Sequence, residues 1–292
     1  MRRFLLWLTV VVAGLAACDD GSGDEQTLTV VASFYPLAEA AERVGGHDVD
    51  VANLTPAGTE PHDLELTPDQ VDAVEDADVV LYLGGGFQPA VEEVAGRRAG
   101  GTVDLLAALD LTEGDGGDVD PHFWLDPTLL AEAVGAIEAA LAAAEPSARA
   151  EFEANADDYR DELASLDEDL RRGLATCERR DMVTSHAAFS YLARRYDLEQ
   201  VAITGLSPEA EPDADRLSDL TDLIRQRGVT TVFYEALVSP AVAETLAREA
   251  GVGTAVLDPI EGLSEDDADA GADYATVMRR NLEALRRALG CP

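Results

Sequence analysis

One apolar stripe of helical period, near the middle of the chain, limits the architectures open to it. In PSARAEFEANADDYRDELASLDEDLRRGLATC (146–177), Phe152, Ala156, Tyr159, Leu163, Leu166, Leu170 and Leu174 recur at spacings of three and four. That period places one continuous apolar face along a helix. From Ser147 to Ala175 such a helix is on the order of 40 Å long at ~1.5 Å per residue. It is long enough to run along two packing units as a rigid spine.

Apolar, β-branched runs lie on both sides of the stripe. TLTVVAS (27–33), DVDVANLTP (48–56), DADVVLYLG (76–84) and GTVDL (101–105) read as strands of a first half. DMVTSH (181–186), EQVAIT (199–204), VTTVFYE (229–235) and GTAVLD (253–258) read as strands of a second. Helical segments such as PLAEAAERV (36–44) and PAVAETLAREA (240–250) fall between them. This alternation is the pattern of βαβ units and parallel sheets, so the expected class is α/β. The 240–250 helix carries its own punctuation: Ser239 as N-cap, Pro240 at the first helical position, Gly251 as the stop.

The N-terminus, MRRFLLWLTVVVAGLAACDD, has two arginines before an apolar run from Phe4 to Ala17. The run is short for a membrane span and has the shape of an export signal. Its end, Leu15-Ala16-Ala17-Cys18, resembles a bacterial lipobox. That resemblance implies a leader over 1–17, cleavage before Cys18 and acylation of its thiol. An ordinary secreted chain and an uncleaved anchor are the competing readings. The polar stretch 18–26 suits a flexible tether. In an exported chain the remaining pair, Cys177 and Cys291, defaults to a disulfide.

Charge excludes one class of partner. The chain has 58 acidic residues against 21 basic ones, for a net charge of −37, and every basic residue is arginine. Such a surface cannot neutralise phosphates, so nucleic acid is not an expected partner. It attracts cations only as a diffuse background.

Histidine is scarce, with four in 292 residues, and its placement carries the functional signal. His62 follows the second expected strand in TEPHDLELTP; His122 lies past the fourth in DVDPHFWLDP. His186 ends the fifth, and Asp258 ends the last. Ligands of open parallel sheets bind outside the carboxyl ends of the strands, and these four side chains map there. Three imidazoles and a carboxylate suit a divalent transition metal, zinc above all. Pro61 and Pro121 each fix a backbone torsion before a histidine. Asp63 and Ser185 are near enough in sequence to set a tautomer by hydrogen bonding. His47, in a turn before a strand, reads as surface.

At these residues the chain resembles a known family. LTPAGTEPHDLELTPDQVDAVEDADVVLYLG, DPHFWLDP, TSHAAFSYLARRY, VFYEALVSPAVAETLARE and VLDPIEGL resemble, in order, the metal-binding solute-binding lipoproteins of zinc and manganese ABC importers. The resemblance covers essentially the whole chain after the leader. It implies two lobes, each a small parallel β-sheet flanked by helices: 27–145, a linking helix over 146–176, and 177–292. It also implies a metal held in the cleft, with His62, His122, His186 and Asp258 as ligands. Glu60 and Glu235 fall near motif residues as supporting groups. Manganese-type members have glutamate where this chain has His186; imidazole is the softer donor and favours Zn(II), with Mn(II) as the alternative ion. The histidine-rich loop of many zinc-type members corresponds here to the acidic, histidine-free LTEGDGGDVD (111–120).

The expected function is therefore capture of Zn(II) by a monomer, anchored through Cys18 to the outer face of the cytoplasmic membrane. Delivery goes to an ABC permease. A lipid-anchored adhesin or metal buffer would use the same site. A zinc hydrolase is the rival from another class, with Glu60 or Glu235 as general base. Against it stand the lack of an HExxH motif and a fourth protein ligand that would close the site to water.

Overall fold

The structure is a computed structural model and describes residues 27–62, 64–111 and 119–292. The expected leader, Cys18 and tether lie outside the described residues, as do Asp63 and most of the acidic loop.

The first sheet contains β1 (Leu28–Ala32), β2 (Val49–Asn53), β3 (Val79–Tyr82) and β4 (Thr102–Asp104) in the order β2-β1-β3-β4, all parallel. The second repeats the design with β5 (Asp181–Thr184), β6 (Glu199–Ala202), β7 (Thr231–Tyr234) and β8 (Gly253–Val256), in the order β6-β5-β7-β8. These are the eight runs read from the sequence. Each observed strand is shorter than its run, trimmed at one end or both where the backbone leaves the ladder to form loops.

Parallel neighbours need crossovers, and helices supply them. The first lobe has α1 (Tyr35–Gly45), α2 (Pro68–Asp76), α3 (Pro89–Ala95), α4 (Leu105–Ala108) and α5 (Pro127–Ala144). Then come the spine α6 (Arg149–Leu174), α7 (Ser190–Arg195), α8 (Ala214–Arg227), α9 (Ala241–Ala250), α10 (Glu265–Asp269) and α11 (Tyr274–Leu289). Local chemistry sets these starts. Thr67 and Gln70 form a reciprocal capping box before α2. At α9, Ser239 Oγ accepts from the Ala241 N–H at 3.4 Å, so Pro240 sits at the cap itself, one place earlier than expected. Gly251 ends that helix in the left-handed region, at φ 79°.

All seven residues of the central stripe are buried in α6, which packs against α1, α5 and α11. The main core is consequently continuous from Leu28 in the first lobe to Leu289 in the second. Smaller clusters fill the outer layers, around Val74 and Val80 in one lobe and Ile224 and Val232 in the other. Polar ties cross between lobes as well. Trp124 Nε1 donates to the Pro259 carbonyl at 2.7 Å, the Tyr274 hydroxyl donates to the Trp124 carbonyl, and the Tyr274 N–H donates to the buried Glu39 carboxylate at 2.8 Å. The Cys177–Cys291 disulfide joins the chain just after α6 to the chain just after α11.

Candidate metal centre

His62 leaves the loop after β2, His122 follows α4, His186 follows β5, and Glu261 lies in the loop after β8. Their donor atoms meet between the lobes. Glu261 Oε1 lies 3.4 Å from His62 Nε2, 2.9 Å from His122 Nε2 and 3.2 Å from His186 Nε2, and the last two nitrogens are 3.3 Å apart. Donors around a tetrahedral zinc with ~2.0–2.1 Å bonds are separated by roughly 3.3–3.4 Å. The four side chains are therefore spaced as a coordination set.

The acid–Pro–His tripeptides explain how two of the imidazoles are aimed. In each, the acid two residues upstream accepts the histidine's own backbone N–H: Glu60 Oε2 for His62 at 3.0 Å, Asp120 Oδ1 for His122 at 3.1 Å. The intervening proline fixes the turn that lets this happen. Asp120 Oδ1 also lies 2.8 Å from His122 Nδ1, and Glu235 Oε1 lies 2.7 Å from His186 Nδ1. A carboxylate only accepts, so each Nδ1 carries a proton, and Nε2 is the atom that a metal would take once its own proton has left.

The sequence expectation and the structure part at the fourth donor. Asp258 lies outside the converging group, and Glu261 stands in the place expected of it. Asp258 Oδ1 instead accepts from the Ile260 N–H at 2.7 Å, while its backbone is gripped by Asn281. Ile260 has a φ of 56°, a left-handed conformation that a β-branched residue rarely adopts. Asp258 thus braces a strained turn, and the turn carries Glu261 inward. Ser185 is also elsewhere: its hydroxyl donates to the Phe233 carbonyl and ties β5 to β7. Glu235 lies against His186, one of the converging histidines. Asp120 was overlooked, although its place before Pro121 repeats that of Glu60 before Pro61.

The family model for ZnuA, the periplasmic component A of zinc-uptake complexes, matches residues 30–288. The chain belongs to this family.

Known members align along most of it. The zinc-binding lipoprotein AdcA of Streptococcus pneumoniae is 37% identical over 98% of this chain and 61% of its own length. The chain thus spans about three-fifths of that relative. The high-affinity zinc uptake protein ZnuA of Bacillus subtilis is 35% identical, over 92% of this chain and 89% of that one. The Zn(II)-bound ZnuA-like domain of S. pneumoniae AdcA is 39% identical and superimposes with a TM-score of 0.78, covering 90% of this chain and 99% of that domain. The two-lobe fold is shared with it.

In this ZnuA-family chain the electrostatics of the site follow from its burial. His122 and His186 are fully enclosed and Glu261 is 3% exposed. Burial alone would push both imidazoles down. Asp120 and Glu261 overcome it at His122, which is raised above its ordinary 6.5; Glu235 and Glu261 overcome it at His186, which is raised to about 10. Burial opposes ionisation of Glu261, yet hydrogen bonds from the three histidines hold its carboxyl well below the usual range. Burial pushes Asp258 up to about 6. His47, 3.1 Å from Glu151 and 3.6 Å from Asp48, is largely exposed, as expected. An exposed contact of this kind contributes little to stability.

Proposed function

We propose that the chain is the extracytoplasmic metal-capturing component of an ABC importer, taking Zn(II) into the interlobe site and handing it to a membrane permease. The observation that carries this reading is the convergence of His62, His122, His186 and Glu261 at coordination spacing, from both halves of the chain. Membership of the ZnuA family supports it. Three imidazoles are borderline donors, and a set dominated by them suits Zn(II) better than Mn(II). Four protein donors fill a tetrahedral shell, which suits storage of an ion and leaves no position for a reactive water. In this reading residues 1–17 are a removed leader, Cys18 bears the lipid, and 18–26 tether the lobes to the outer face of the cytoplasmic membrane.

Protons compete with the metal, and the sign follows from the shifts. His186 is raised to about 10, so it holds a proton at neutral pH that the ion must displace, and His122 is shifted in the same direction. Apparent Zn(II) affinity is expected to rise by about tenfold or more per pH unit from pH 6 to 8, with net proton release on binding. Unperturbed imidazoles, near 6.5, would instead lose most of this dependence above pH 7. Calorimetry in buffers of different ionisation heat measures the released protons. A Zn(II) affinity flat across that range would contradict the reading.

A further inference from the structure

The four donors are not equally reachable. His122 and His186 are fully enclosed, Glu261 is 3% exposed, and only the His62 side chain keeps an 11% opening to solvent. That opening faces a cavity of about 320 Å³ lined by His62, Gly85, Gly86, Phe87, Pro121 and Ser207, among others. Its rim comes from both lobes: the loop after β3 supplies the glycines, and the loop after β6 supplies Leu206 and Ser207. Beside Glu261, the space lined by Glu60, Glu235, Asp258 and Pro259 is about 10 Å³.

These volumes decide which side admits an ion. Water takes up roughly 30 Å³ in the liquid, so an ion with a shell of about six waters needs on the order of 180 Å³. The first cavity accommodates it. The second holds one water at most. Gly85 and Gly86 keep the rim low, with φ of 74° and 87° that disfavour any residue bearing a Cβ. Phe87, whose ring centroid lies 4.7 Å from that of His62, packs against this imidazole.

We propose that this cavity is the metal portal, and that His62 is the capture ligand. The hydrated ion enters between the Gly85–Gly86 and Leu206–Ser207 rims, exchanges a first water for His62 Nε2, and then passes inward to His122, His186 and Glu261. The same path, reversed, is the route of release. The proposal rests on the coordination reading above.

The test separates rate from affinity. Ser207 is exposed on a surface loop, so Ser207→Trp narrows the mouth without entering the core. Val242→Trp, at an exposed position on α9 outside the portal, controls for bulk alone. Metal-free protein is mixed with Zn(II) in a stopped-flow device, and loaded protein with excess chelator. Ser207→Trp is expected to slow both uptake and release by about tenfold and to leave equilibrium affinity within about twofold, while Val242→Trp changes neither. Unchanged rates for Ser207→Trp at intact affinity would overturn the portal alone, with exchange then running through opening of the lobes. Weakened affinity without matched slowing would overturn it equally. A wild-type chain that takes up no Zn(II) would sink the coordination reading itself.

Discussion

Glu261→Gln is expected to weaken Zn(II) binding by on the order of 100-fold or more, while Asp258→Asn stays within about threefold of wild type. The contrast follows from what each carboxylate touches. Glu261 Oε1 lies within 3.4 Å of all three histidine Nε2 atoms, and it is the one ionised group at their focus. The amide keeps the shape and loses the charge that offsets a divalent ion in a dry site. Asp258 holds the Ile260 N–H, a bond that an asparagine oxygen can also accept. Competition titrations against a chelating indicator measure both variants. The reverse ranking would return the ligand role to Asp258.

The second large effect concerns stability. Cys177 and Cys291 are 114 residues apart, so their disulfide closes nearly the whole second lobe into one loop. In the chain-entropy account a closure of that length is worth roughly 4–5 kcal/mol. Replacing both cysteines by serine is expected to lower the melting temperature by about 10 °C, at ~2–4 °C per kcal/mol for a chain of this size. Zn(II) affinity should hardly change. Hydrogen bonds at the same end, from the Arg179 N–H to the Leu289 carbonyl and from the Thr230 hydroxyl to the Ala288 carbonyl, still seat α11. Thermal unfolding of the double variant, beside a metal titration, checks both halves; a melting point unmoved by the substitutions would contradict the expectation.

Much of this architecture was legible before any coordinates. The stripe from Phe152 to Leu174 was readable because helical burial leaves a period that survives any tertiary context. The eight strands were readable because buried parallel strands leave dense β-branched runs between turn residues. Three of the candidate donors were readable because Pro61 and Pro121 mark stiffened loops and His186 follows the end of β5. The fourth candidate, Asp258, lies outside the converging group for a definite reason. VLDPIEGL offers two acids three residues apart, and the choice between them turns on a left-handed isoleucine that no propensity anticipates. The portal was hidden as well, since it exists only where a glycine loop of one lobe faces a loop of the other.

The central claim is that imidazoles from both lobes and one carboxylate share a single ion. Crystals of the Zn(II)-loaded protein, measured at the zinc absorption edge, test it most directly. The account predicts one strong anomalous peak between the lobes, about 2.0–2.2 Å from Nε2 of His62, His122 and His186 and from a carboxylate oxygen of Glu261. A peak bound by Asp258 in place of Glu261, or held by residues of one lobe alone, would contradict it.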